Sequence, residues 1–324
     1  MRKIIFVFFL CFISCENKTT SKYIPKSNGN INTLSVVMEK QLWNSKLGDS
    51  VRKIFSTEYV GLPQQEPVLS LKHIPISVFS GFFRESRNIL LIQKNKNTNW
   101  DIKRNQFAKP QSVFIVSGKD DRKIISAVKE KKEMIVEKVK QNELVEKQRR
   151  MGISTYSNSP LKKLLNIDLL MPSVYTLFKK GSNNEIWIQK ETKKGTINII
   201  VLQIEDQISL DEFSLQNIIK LRDSIGQAFV PGRKEGSYMI TEKAYKPYVK
   251  KTRIKGFNAI ETRGTWELKN DFMAGPFLNY IISDTVNSRL LVVEGFVFSP
   301  SSRKRDMIFE LEAIFKSLKI YKKD

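Results

Sequence analysis

Arg289-Leu290-Leu291-Val292-Val293-Glu294-Gly295-Phe296-Val297-Phe298 is almost wholly apolar, the pattern of a strand covered on both faces in the middle of a sheet. Ser299-Pro300-Ser301-Ser302 then supplies turn and cap chemistry. Met307, Ile308, Leu311, Ile314, Phe315 and Leu318 follow at helical spacing, so the strand is expected to feed a helix that packs back on the sheet. Upstream, Asn258 to Leu268 alternates. Ile260, Thr262, Gly264, Trp266 and Leu268 are expected to face inward, with Ala259, Glu261, Arg263, Thr265 and Glu267 on the outer face. Asn270 to Phe277 reads as a connector.

Working outward, Thr33–Met38, Asn88–Gln93 and Gln111–Ser117 read as strands. Glu39–Tyr59 reads as helix broken at Gly48-Asp49-Ser50, and Gly61–Pro67 as a loop, because each proline biases its predecessor away from helix. Asp120-Asp121 opens a long charged helix to about Met151 with Ile124, Val128, Ile135 and Val139 along one stripe; its length predicts that part of it projects past the core. Strands at 175–178, 185–189 and 196–203, a helix over 210–229 capped by Asp211, and a strand at 237–241 complete the pattern. The fold class is therefore α/β (α+β): two halves, 33–151 and 160–321, each a mainly antiparallel or mixed sheet covered by helices, with the long charged helix between them. Gly152 to Pro160, rich in Ser, Thr and Asn, marks the boundary. Each half closes on an apolar strand followed directly by a helix, a faint internal similarity.

The N-terminus has the form of a leader. Met1-Arg2-Lys3 is positive, Ile4 to Ile13 is apolar but too short to span a bilayer, and Ser14-Cys15 places a small residue before a cysteine. That arrangement predicts a lipoprotein signal peptide over residues 1–14 and acylation of Cys15, although Phe12 stands where such boxes usually carry Leu. Residues 15–32, polar and aperiodic, read as a flexible tether. The only other cysteine, Cys11, lies inside the leader, so a disulfide and a cysteine nucleophile are both excluded from the mature chain. With 55 Lys and Arg against 33 Asp and Glu, the net charge is +22. In an exported chain this suits anionic lipid or cell-wall polymer and not nucleic acid.

The chemical inventory is narrow. A single histidine, His73, means that a triad or a histidine-rich metal site runs through it or does not exist; no metal and no cofactor is expected. Carboxylates remain as general acids or bases. Glu294, in the most apolar strand, is expected to be desolvated and paired with Arg263, while Glu294 with Glu261 or Asp271 is the set a glycan hydrolase would use. The loops offer Pro63, Gln64, Glu66, His73, Phe272 and Phe277 as binding candidates.

Leu62-Pro63-Gln64, Glu66-Pro67, His73-Ile74-Pro75, Glu235-Gly236-Ser237-Tyr238-Met239, Arg263-Gly264-Thr265-Trp266, Asp271-Phe272-Met273-Ala274-Gly275-Pro276-Phe277 and Val293-Glu294-Gly295-Phe296 together resemble domain-of-unknown-function family 4837, over about residues 30–320. The resemblance implies a lipid-anchored envelope lipoprotein of the Bacteroidetes and brings with it no activity, cofactor or catalytic residue. In flavobacterial lipoproteins, surface export is associated with acidic residues just after the acylated cysteine. Here Glu16 is followed by Asn17 and Lys18, which favours the outer membrane facing the periplasm over the cell surface. The expected role is a non-enzymatic binding or organising module with an envelope protein, glycan or anionic lipid as partner, and the alternative is a carboxylate-dependent hydrolase.

Overall fold

A computed structural model describes residues 23–156, 160–182, 184–204 and 209–323; the leader with Cys15, and residues 157–159 of the boundary, lie outside the described residues. The first sheet contains β1 (Thr33–Met38), β2 (Ser70–Pro75), β3 (Asn88–Lys94), β4 (Asn99–Arg104) and β5 (Ser112–Gly118) in the order β2-β1-β3-β5-β4. β2, β1, β3 and β5 are parallel, and β4 closes the edge antiparallel to β5. One face buries Val36, Leu90 and Phe114 under α2 (Lys46–Ile54) and α4 (Asp121–Met151). The other face carries Val37, Ile74, Ile89 and Val113 under residues 76–84, which include the single-turn α3 (Gly81–Arg84).

The helix expected over 39–59 breaks earlier than Gly48, between α1 (Lys40–Trp43) and α2, where Ser45 caps α2 by accepting from Leu47 N. Gly48 sits inside α2, and the position takes glycine because a Cβ there would lie 1.9 Å from the Trp43 carbonyl oxygen. α4 starts as expected, with the Asp120 carboxylate accepting from Lys123 N. It does not project. Ile124, Val128, Ile135 and Val139 cover the first sheet, and beyond them Glu143, Glu146 and Met151 are also buried. Glu143 accepts from Arg87 Nε at 2.8 Å and from Asn32 N at 3.2 Å, which ties the helix to the chain ahead of β1.

That chain is not a free tether over its last part. Lys109 N donates to Pro25 O, Asn28 N to Glu85 O and Arg87 N to Asn28 O, so residues 25–32 lie against the first sheet.

The second sheet runs β10 (Met239–Thr241), β12 (Phe257–Leu268), β13 (Ala274–Asp284), β14 (Arg289–Phe298), β9 (Gly195–Ile204), β8 (Ile186–Thr192), β7 (Thr176–Lys180), with β11 (Tyr248–Ile254) also on β12. Every pairing is antiparallel, unlike the first sheet, so the two halves differ in topology. β14 is the central strand, as its composition predicts. Leu291, Val293 and Val297 pack under α7 (Arg305–Phe315), and Val292 and Phe296 under α6 (Leu215–Phe229). Gly295 lets α7 approach, since a Cβ there would meet the Phe315 ring at 2.7 Å. α5 (Pro160–Leu165) and the short pair β6 (Ile167–Asp168) and β15 (Lys319–Ile320) close the α7 side.

Two further expectations are corrected. The outer face assigned to β12 is buried as well: Glu261, Arg263 and Thr265 turn toward the α7 side of the sheet, where Tyr59 of the first half reaches Arg263. The cap of α7 does not come from Ser299–Ser302. Lys304 N and Arg305 N donate to the Glu66 carboxylate at 2.6 and 3.2 Å, from a loop of the other half. A buried carboxylate on helix N–H groups that have no partner within the helix is favoured by hydrogen bonding and by the helix dipole. Glu66→Ala is expected to lower the unfolding free energy by about 1–3 kcal/mol, measured by urea denaturation; an unchanged midpoint would mean that solvent replaces the cap without loss.

Candidate functional site

The loop from Thr57 to Val68 leaves the first half and clamps the second. Tyr59 N donates to Glu66 O and Val68 N to Thr57 O, giving the loop its own short ladder. At its tip Gly61 adopts φ +85°, and a Cβ there would stand 2.8 Å from the Arg263 Cβ, so only glycine allows this approach. The Tyr59 ring is thereby delivered onto β12. Arg263 Nη1 donates to the Tyr59 hydroxyl at 2.9 Å, and that hydroxyl donates to Glu312 of α7 at 3.0 Å.

Arg263 is the centre of the cluster. It pairs with Glu261 at 2.7 Å and Glu312 at 2.8 Å; Tyr280 donates to Glu261 at 2.5 Å, and Lys316 pairs with Glu312 at 2.6 Å. Burial opposes ionisation of Glu312, but Arg263, Lys316 and Lys140 together hold its carboxyl well below the ordinary range. Burial likewise opposes ionisation of Glu261, and Arg263 outweighs it. Desolvation, helped by Glu312, pushes the Tyr59 hydroxyl up, so it stays a neutral donor.

Above this floor lies a groove of about 490 Å³ between the halves. α4 contributes Glu133, Glu137 and Lys140, β11 contributes Tyr248 and Lys250, and α7 contributes Lys316. A concave site where two units meet is a common place for a ligand. Its rim carries both signs of charge over a floor that is already paired internally, which suits a polar ligand with donors and acceptors of its own.

The residues singled out from sequence are dispersed. Glu294 is buried as expected, but its partner is Arg222 of α6, which donates through Nε at 3.1 Å and Nη2 at 2.5 Å; Asn279 adds a bond at 2.8 Å. Arg263 could not have filled that role. It stands opposite Leu278, which stands opposite Gly295, so it shares the Gly295 face while Glu294 points to the α6 face. For the same reason Glu261 and Glu294 project from opposite faces and cannot act on one bond. Asp271, in the β12–β13 turn, is held by Arg233 at 3.1 Å.

Among the binding candidates, Pro63 and Gln64 are exposed at the tip of the clamping loop, while Glu66 is buried as the α7 cap. His73 is not on a loop. It lies in β2, stacked on Trp43 with ring centroids 4.8 Å apart, its Nε2 3.1 Å from Met38 O. Phe272 is 95% exposed at a hairpin tip, whereas Phe277 is core, with the Arg222 guanidinium 3.3 Å from its ring centroid. Sequence reasoning missed Tyr59, Arg222 and Glu312, whose partners are remote along the chain. Among the described residues no group of three or more His, Cys, Asp and Glu side chains is arranged to hold a metal ion.

Comparison with known proteins gives two family models. The one described as domain of unknown function (DUF4837) matches residues 154–317, and a second domain of unknown function (DUF8532) matches residues 27–152. No curated protein matches. Among solved structures, a Bacteroides thetaiotaomicron VPI-5482 protein is 11% identical with a TM-score of 0.29, covering 49% of this chain and 46% of its own. LpqN, involved in cell envelope biogenesis of Mycobacterium tuberculosis, is 13% identical with a TM-score of 0.30, covering 48% of this chain and 82% of its own. The chain thus spans about half the length of the first of these.

Two outcomes are expected from the buried pairs. Arg222→Met or Glu294→Gln alone should cost about 3–5 kcal/mol, because each leaves an uncompensated buried group, while Arg222→Met with Glu294→Leu recovers most of the loss in chemical denaturation. A folded carboxyl lowered below its ordinary 4.5, as in Glu312, adds stability that is complete above that value and is lost as pH falls through the folded value. Glu312→Gln should therefore flatten the acid limb of the stability curve below about pH 4.5.

Proposed function

The chain belongs to the DUF4837 family, and from that premise we propose that the mature protein is a lipid-anchored cell-envelope lipoprotein acting as a non-enzymatic binding module, with the groove between α4, β11 and α7 as its ligand site. The leader pattern ending at Ser14-Cys15 supports acylation of Cys15 and placement at the outer membrane facing the periplasm. Among the described residues no helix is long and apolar enough to cross a membrane, so attachment rests on the lipid in this reading. The two halves act as units meeting at residues 152–160, a division supported by family models that end at 152 and begin at 154.

The observation that carries the binding reading is the groove itself. Its floor joins Tyr59 of one half to Arg263 and Glu312 of the other, so a ligand resting there contacts both. Glu133, Glu137, Lys140 and Lys250 on the walls suit a segment bearing both charges, such as the peptide-substituted glycan of the cell wall. Against the hydrolase alternative, Glu294 with Glu261 or Asp271, stands the pairing of each carboxylate with its own arginine, Arg222, Arg263 and Arg233, with Glu261 and Glu294 on opposite faces of the sheet.

Cys15→Ser is expected to move the protein from the membrane fraction to the soluble fraction; retention of the variant would overturn the anchor. Residues 16–324, titrated with soluble muropeptides, should bind without turnover, and Lys140→Glu with Lys250→Glu should weaken binding. Release of product, abolished by Glu261→Gln with folding intact, would establish the hydrolase instead.

A further inference from the structure

The outer face of the first sheet, the one opposite α4, is covered incompletely. Residues 76–84 lie across it, and Leu91, Phe83 and Phe107 remain only half-buried there. Around them Val78 and Phe82 are 44% and 64% exposed, and Tyr23 and Ile24 are 84% and 42% exposed. These come together because the N-terminal segment runs alongside: Asn28 Nδ2 donates to Phe82 O at 3.0 Å, and Lys109 N to Pro25 O at 2.8 Å.

The charges around this apolar patch are largely basic. Lys26 and Lys109 are exposed side by side on segments joined by a parallel backbone bridge, the Lys72 ammonium lies 5.7 Å from the Phe83 ring centroid, and the Arg84 guanidinium lies over Phe79 and Phe107. Lys103 of β4 projects from the same face as Val113. Two acids are nearby, and both are engaged with the chain: Glu85 accepts from Asn28, and Asp101 accepts from Ile102 N.

We infer that this face docks on the anionic surface of the membrane that holds the lipid, with Phe82 and Tyr23 entering the headgroup layer and the lysines pairing with phosphates. The inference rests on the proposed acylation of Cys15 for its source of membrane. Pro25 stands ten residues after Cys15. At full extension that stretch reaches at most about 35 Å, and Pro25 is itself fixed at the edge of the patch. The folded body is therefore held near the bilayer with this face foremost. Exposed aromatics with interspersed lysines match the polar and apolar depths of an anionic interface. The groove, beyond the first sheet and α4, is left accessible to the periplasmic side.

Residues 16–324 retain every described residue and contain no cysteine, so one introduced cysteine can be labelled uniquely. Phe82→Cys and Phe272→Cys, each carrying an environment-sensitive fluorophore, would be mixed with vesicles of phosphatidylcholine alone and of phosphatidylcholine with phosphatidylglycerol. A blue shift at position 82 on the anionic vesicles only, with none at position 272, is expected. Lys26→Glu, Lys103→Glu and Lys109→Glu together should weaken cosedimentation by about tenfold or more while leaving the melting temperature unchanged. A shift at 272 instead of 82, equal binding to neutral vesicles, or no binding at all would overturn the inference. So would loss of a specific envelope protein from crosslinks of the triple variant with vesicle binding unaltered. The unacylated chain is used throughout, so failure here leaves the Cys15 reading to stand or fall on its own fractionation test.

Discussion

Arg263 fixes how the two sheets meet. Its guanidinium leaves the middle of β12 in the second half and is enclosed by Glu261 of the same strand, Glu312 of α7, and the hydroxyl of Tyr59 from the first half. With Lys316 on Glu312, the cluster contains two positive and two negative charges. None of these partners can be withdrawn cheaply. Buried charges are tolerated where geometry and hydrogen bonding compensate their desolvation, and a missing partner leaves that cost exposed. Because Tyr59 arrives on a loop held by Gly61 and by the Glu66 cap on α7, the cluster also dictates the position of α7 against the first half. Lys147 on Glu310, and Gln148 on the Ala313 carbonyl, repeat the link from α4.

The parts of the fold readable from sequence are those whose burial is local and periodic. β14 has apolar residues on both faces and is the central strand; α4 and α7 show their stripes; β1 lies where its apolar run predicts. Strands β4 and β11 were not legible. Asn99–Arg104 and Tyr248–Ile254 are polar segments that owe their conformation to pairing with β5 and β12, and such pairing leaves little apolar alternation. The Glu66 cap of α7 and the Arg222 partner of Glu294 are equally invisible, since each joins residues remote in sequence. The burial of Glu294 could be read from its neighbours. Its partner could not, because strand register decides which face a side chain takes, and one step along β14 separates the α6 side from the α7 side.

The arginines paired in the interior and the lysines of the outer patch differ in placement. Arg87, Arg222, Arg263 and Arg289 are buried, each on a carboxylate, whereas Lys26, Lys72, Lys103 and Lys109 are solvent-facing. This follows from the side chains. A planar guanidinium satisfies a carboxylate bidentately and is weakly hydrated, while an ammonium keeps its water and acts as a point charge. The arginines of the interior therefore serve the fold, and the positive charge available to a partner is mainly lysine. A lysine surface attracts anionic layers without demanding a fixed geometry, as a fluid headgroup layer requires and a shaped groove does not. The mixed-charge groove and the lysine-rich outer face of the first sheet thus differ in the chemistry they can recognise, and α4 with the first sheet stands between them.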